Sequence, residues 1–184
     1  MADIRSDDVL RFWFEEIEQR RWFKSDPAFD RELETRFGAL LARAKRGELD
    51  HWCATPRGRL ALIVVLDQFS RNIHRDTAEA FAADDKALQL TLDGLEAGDD
   101  RQLSLAERSF FYLPLRHAED LDMQRLGLEK TRGLNAAGYG SDKYALNHLE
   151  IIERFGRFPH RNAALGRSNT AEEEAYLASG DRGF

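Results

Sequence analysis

The chain has 184 residues, of which 42% are hydrophobic and 33% charged: enough apolar material for one buried core, and too little length for two independent ones. A net charge of −6 and a pI near 5.4 oppose general attraction to nucleic acid or to an anionic membrane surface. Cys53 is the single cysteine, which excludes an internal disulfide and any zinc site built on two thiolates, and which fits a reducing cytoplasm.

The opening segment MADIRSDDVLRFWFEEIEQ is acidic and periodic, unlike a secretory leader, and no apolar run approaches the ~18 residues of a membrane span. A cytoplasmic location follows as the expectation. Leucine and alanine together number 47 and valine and isoleucine nine, a bias toward good helix formers and away from residues that suit strands. The expected class is all-α, a single domain over residues 1–184 with about seven to nine helices packed as antiparallel hairpins.

In chain order, a first helix follows Ser6 and buries Val9, Leu10 and Trp13, with Arg21-Trp22-Phe23 as an aromatic anchor behind it. Asp26-Pro27 starts a second helix carrying Phe29, Leu33, Phe37, Leu40 and Leu41, capped by Gly47. Thr55-Pro56 opens a third, with proline at the first helical position. A fourth runs from about Asp84 to Ala97 and closes at Gly98. Ser104 and Glu107 form a capping box for a fifth, kinked or ended by Pro114. A sixth spans roughly Ala118 to Ala136, the GYGS loop follows, and a seventh runs from Asp142 to Phe155, ending at Gly156. Thr170 and Glu173 cap a short last helix. No internal repeat is present.

Three segments carry more than packing requires. Residues 60–66 are apolar on every side, yet Asp67-Gln68-Phe69-Ser70-Arg71-Asn72 follows without a break, and Asp67 and Arg71 stand four apart, ready for an ion pair. Asp67, Gln68 and Asn72 either satisfy loop amides or floor a polar pocket. Arg57 and Arg59 occupy a first helical turn, where the macrodipole disfavours cations by about 0.3–1 kcal/mol each. An acid elsewhere in the chain, solvent, or a bound anion must answer them.

The third segment, residues 153–162, gathers Arg154, Arg157 and Arg161 with His160 and Asn162 around Phe155 and Phe158. It is either an anion site or a rigid turn whose arginines pair with Asp67, Glu119 or Asp120. Among the histidines, His117 is followed by Glu119 and Asp120, and His148 by Glu150. HExxH, GxSxG, GxGxxG and phosphate-loop motifs are absent, and no motif calls for a cofactor or a metal.

The stretches RWFKSDPAFDRELETRFG, TPRGRLALIVVLDQFSRNIHR, FFYLPLRHAEDLDMQ and HLEIIERFGRFPHRNAALGR together closely resemble one family, the bacterial domain of unknown function 924. The resemblance implies a tetratricopeptide-like helical fold and weight on the DQFSRN and RFGRFPHRN motifs; it implies no reaction. Leu149 is a departure, standing where the family pattern more often has arginine. The leading expectation is a binding module that holds an acidic peptide or small anionic metabolite in a polar groove between segments 56–72, 118–136 and 142–155. The alternatives are a hydrolase with His148 or His160 as base and Glu119 or Asp120 as acid, or an architectural role with function at a partner interface. Neither nucleic acid nor a membrane is an expected partner, and oligomeric state is not readable.

Overall fold

A computed structural model describes residues 3–180. Among these the regular structure is helical throughout, with no strand. Helix α1 (Ser6–Arg11) begins at Ser6 itself, since the Asp8 carboxylate accepts from the Arg5 amide at 3.0 Å, and it runs on into a π-helical turn, Phe12–Glu16. Helix α2 (Pro27–Lys45) is capped by Asp26, whose carboxylate accepts from the amides of Ala28 and Phe29. Helix α3 (Pro56–Val64) is capped by Thr55 and passes through a π-helical turn, Val65–Phe69, into a last helical stretch, Ser70–Ile73.

Helix α4 (Asp84–Ala97) stops at Gly98, whose φ of 74° is the left-handed conformation that glycine adopts without strain. Helix α5 (Leu105–Phe111) starts at the Ser104–Glu107 capping box and breaks at Tyr112; α6 (Leu113–His117) then carries Pro114 in its first turn. Helix α7 (Leu121–Ala136) begins three residues later than the sequence suggests, because the Asp120 carboxylate accepts from the Met123 amide at 2.9 Å. Helices α8 (Lys143–Phe155) and α9 (Ala171–Ala178) complete the chain.

Helix α3 is the centre. It packs against α1, α4 and α5, its continuation over Val65–Phe69 and Ser70–Ile73 packs against α2, and Leu60 through Leu66 are completely buried. An aromatic cluster surrounds it, with ring centres of Phe37 and Phe69 4.8 Å apart, Phe12 and Phe37 4.8 Å, and Trp13 and Phe110 5.7 Å. Each such ring contributes about 1.5–3 kcal/mol through burial. Trp22 is fixed to this cluster by donating its indole N–H to the Trp13 carbonyl at 2.9 Å.

The C-terminal helices hold smaller apolar clusters of their own. Leu128, Ala145 and Leu149 join α7 to α8, while Ile151, Ile152 and Phe158 pack under Phe155 and Tyr176. Between these and the main core lies a seam where the buried side chains are polar. Among the described residues no helix is long and apolar enough to cross a membrane.

Candidate functional site

The seam begins at the π-helical turn of α3. A π turn inserts one residue into the helix and shifts the faces that follow, a device frequent at functional sites; here it leaves Asp67 and Gln68 buried directly beyond the all-apolar stretch. Asp67 is 1% exposed and fully engaged. Its Oδ1 accepts from Arg71 Nη1 at 2.9 Å and lies 2.7 Å from His117 Nδ1, and its Oδ2 accepts from Gln68 Nε2 at 2.6 Å. Burial alone would raise this carboxyl, but Arg71 and His117 outweigh it and hold Asp67 well below the usual carboxylate range.

Arg71 reaches onward. Its Nη2 donates to Asp84 Oδ2 at 2.8 Å, in the first turn of α4, and Arg161 Nη1 donates to the same oxygen at 3.3 Å. The Arg161 guanidinium is sandwiched between the rings of Phe81 and Phe158, 4.7 and 4.6 Å from their centres. Burial raises the Asp84 carboxyl despite Arg71, and burial together with Arg71 pushes Arg161 down to about 10.

Helix α6 supplies Arg116 and His117 from a backbone clamped on two sides. Gln124 of α7 donates to the carbonyls of Arg116 and Ala118, both at 2.7 Å, closing the end of α6. Gly127, one turn on, lets the helices touch: a Cβ there would lie 2.9 Å from Arg116 Cγ and 3.2 Å from Leu115 Cβ. His117 uses Nδ1–H on Asp67, so its neutral ring carries the lone pair on Nε2. Burial and Arg71 push it down to about 4.

His148 on α8 sits beside it, with ring centres 6.3 Å apart, and donates Nδ1–H to the Tyr144 carbonyl at 2.6 Å. Burial and Arg116 push it down to about 3, and Arg161 lies close enough to act on both imidazoles. Both are neutral at neutral pH.

Arg116 is the exception in an otherwise paired cluster. Its guanidinium makes no ion pair or hydrogen bond among the described residues, and its Nε is shut off from solvent. Burial lowers it only to about 10, with Asp67 acting against the shift from a distance, so it remains a cation. The Nε of Arg161 and Oδ1 of Asp84 are also enclosed without a partner.

Of the residues singled out in the sequence, the seam therefore brings together Asp67, Gln68, Arg71, His117, His148 and Arg161. Asn72 braces it, donating to the Gln68 carbonyl at 2.8 Å and accepting from Arg75, which itself forks onto Asp30. The expectation that the arginines of residues 153–162 pair with Asp67, Glu119 or Asp120 is corrected: Arg161 pairs with Asp84, Arg154 with Glu172 at 2.7 Å, and Arg157 forks onto Glu173 at 2.6 and 2.8 Å. Arg154 and Arg157 thus dock α9 and do not face the seam. Glu119, assigned as an acid, accepts from Arg167 and from the Phe158 amide, which hold it below its ordinary value; Asp120 is a helix cap.

His160 stacks at an angle on Phe158 and lines a shallow hollow of about 130 Å³ with Pro159, Ala163, Asn169 and Leu177. Asn162 fastens the same turn through Asn169 and Arg167. The anomaly at the start of α3 is resolved within the chain. Arg57 pairs with Glu107, and Arg59 donates to Asp99 at 2.7 Å, so neither guanidinium waits for an anion. Leu149 packs in the small apolar cluster between α7 and α8.

Sequence reasoning missed Arg116, Asp84, Gln124 and Arg167. Asp84 reads as an ordinary acid in a first helical turn. Arg116 had one signal, a charged residue beside His117 directly after the proline break. Among the described residues no three His, Cys, Asp or Glu side chains gather as a metal site would need.

An all-helical protein with an arginine- and histidine-rich seam between its main core and its C-terminal hairpin is what fold and site define. The chain belongs to the DUF924 family, bacterial proteins of unknown function, whose pattern matches residues 9–181. It is similar to a solved structure from Agrobacterium tumefaciens, the protein of unknown function ATU0120, at 40% identity and a TM-score of 0.87, covering 95% of this chain and 97% of that one. No curated protein matches the chain.

Proposed function

We propose that the chain is a binding protein for a small anionic ligand, held in the seam between α3, α6 and α8. The observation that carries this reading is Arg116, a partly exposed cation whose Nε is enclosed without a hydrogen-bond partner. Enclosing a guanidinium N–H without an acceptor costs about 1–3 kcal/mol, which a ligand oxygen would recover. The neighbouring chemistry suits an oxyanion: Arg116 and Arg161 both act on the His148 imidazole, and each guanidinium presents a fork that matches carboxylate or phosphate. An acidic peptide fits less well, because it would offer a single carboxylate, which one arginine fork satisfies. We take the small anion as the reading.

Hydrolysis of a small anionic substrate is a second reading, supported by one contact. The Asp67–His117 pair holds Nδ1 and leaves Nε2 as a base, the arrangement general-base catalysis requires. The base would then be His117 in place of the expected His148 or His160, because it is the one held by a carboxylate; Asp67 takes the place expected of Glu119 or Asp120, which are committed elsewhere.

The test is thermal unfolding against phosphate, sulfate, succinate, citrate and phosphorylated sugars, comparing the normal protein with Arg116→Ala. A compound at about 100 times its Kd adds about 2.7 kcal/mol, which is roughly 5–10 °C for a chain of this size. A rise seen only with Arg116 present supports the reading. No rise with any anion, together with an Arg116→Ala variant more stable than the normal protein at every salt concentration, sinks it.

A further inference from the structure

The two histidines of the seam have a consequence for any oxyanion that reaches Arg116. The His117 ring spends its Nδ1–H on Asp67, which leaves the lone pair of the neutral ring on Nε2. A sulfuryl or phosphoryl dianion offers acceptors only, so it cannot lie against the bare lone pair of Nε2 without repulsion. One proton on Nε2 reverses this: the imidazolium then donates to Asp67 through Nδ1 and to the ligand through Nε2, with opposite charge on both sides.

We propose that the seam takes up one proton with its ligand, on His117, and that its preferred ligand group is a tetrahedral dianionic oxyanion, the class of a phosphate monoester dianion or inorganic sulfate. The inference rests on the anion-binding reading above and adds to it the class of ligand and a dependence on pH. Donors reach the seam from different elements, Arg116 and His117 from α6 and Arg161 from the turn after α8. That spread suits three oxygens pointing in different directions better than the two coplanar oxygens of a carboxylate, which a single arginine fork satisfies.

The charges around His117 agree. From α3 it faces Asp67 and Arg71, from α8 His148, and from the following turn Arg161, while Asp84 of α4 pairs with Arg71 and Arg161 and Arg116 of its own helix acts on His148. Glu119 beyond is occupied by Arg167. With three arginines against two aspartates, the side chains of the seam sum to one surplus positive charge, which repels a proton from His117. A dianion turns that surplus into a deficit of one, and a proton restores balance. Without ligand the ring is neutral above about pH 4, so uptake spans the whole neutral range.

Sulfate is the direct probe, because it carries no proton of its own between pH 5.5 and 8, and any proton taken up belongs to the protein. Isothermal titration of the full chain with sodium sulfate at constant ionic strength should show Kd rising about tenfold per pH unit. Titrations at pH 6.5 in two buffers of different ionisation enthalpy should report close to one proton per sulfate. His117→Asn keeps a donor toward Asp67 and lacks Nε2; it should bind sulfate with no pH slope, and Arg116→Ala should not bind it at any pH.

Sulfate binding that needs Arg116 but is flat with pH and takes up no proton overturns the inference and leaves the site standing. So does Arg116-dependent binding of succinate or citrate with none of sulfate or phosphate, and so does a proton uptake that persists in His117→Asn. If no anion binds, both this inference and the reading beneath it fall. Should His117→Asn not fold, the two-buffer measurement on the normal protein decides alone.

Discussion

His117 places its Nδ1 2.7 Å from Oδ1 of Asp67, fifty residues earlier in the chain, and this contact joins α6 to the π-helical turn of α3. Asp67 is at the same time the anchor of Arg71 and, through it, of Asp84. Replacing Asp67 by asparagine removes the negative charge that faces both Arg71 and His117 and leaves Arg71 with Asp84 alone, which it shares with Arg161. Loss of one partner from a buried pair costs about 3–5 kcal/mol. Urea unfolding of Asp67→Asn should show that loss; a change below about 1 kcal/mol would mean that solvent reaches Asp67 and that the seam is open.

Acid should weaken the fold well before its carboxylates titrate. Burial, with Arg71 beside His117 and Arg116 beside His148, depresses the two imidazoles to about 4 and about 3, whereas in the unfolded chain they titrate near 6.5. Below pH 6.5 the unfolded chain therefore binds protons that the folded chain refuses, so stability falls as pH falls. The loss is at most about 1.4 kcal/mol per pH unit for each histidine, or roughly 2 kcal/mol from each at pH 5. Asp84, whose carboxyl is raised by burial, offsets part of this by accepting a proton in the folded state first. Urea midpoints at pH 7 and pH 5 check the sign, and equal midpoints would contradict the enclosure of both rings.

How much of this was legible in the sequence depended on how local the cause was. Caps at Asp26, Thr55, Ser104 and Thr170, and the stop at Gly98, are settled within four residues, and they stand where the sequence places them. The Asp67–Arg71 pair was legible for the same reason, being one helical turn apart. Arg116 was not, since having no partner is a property of everything around a residue. Residues 153–162 misled in the opposite direction. Their arginines look like a cluster in sequence, but Arg154 and Arg157 turn toward Glu172 and Glu173 of α9, and only Arg161 reaches the seam.

That division has its own consequence. Glu173 is nearly buried and caps α9 through the Thr170 amide while the Arg157 fork neutralises it, so Arg157→Ala leaves an enclosed carboxylate with half its partners. Arg154 and Glu172 are both largely exposed, and such pairs contribute at most about 1 kcal/mol. Arg157→Ala should cost about 1–3 kcal/mol and raise hydrogen exchange in residues 171–178, while Arg154→Ala does neither. Anion binding should survive both substitutions; its loss in Arg157→Ala without any opening of α9 would move the site to this turn.

Gly127 tests the seam from behind. It lies on α7 where the helix meets Leu115 and Arg116, and its missing side chain sets how closely α6 can sit. A methyl group at this position would stand 2.9 Å from Cγ of Arg116, nearer than carbon atoms normally approach, and 3.2 Å from Cβ of Leu115. The relief available is to push α6 away or to swing the Arg116 side chain; Gln124 opposes the first, because it holds the carbonyls of Arg116 and Ala118 at 2.7 Å. Alanine improves helix propensity by up to about 1 kcal/mol in a free helix, but overpacking costs about 1–3 kcal/mol, so the net effect on stability should be small or negative. Binding is the sharper readout. If Arg116 holds the ligand, a displaced guanidinium should weaken sulfate or phosphate at least tenfold in Gly127→Ala while leaving the helical circular dichroism unchanged. Unaltered anion affinity in a variant of normal stability would show that the position of Arg116 does not matter to the site.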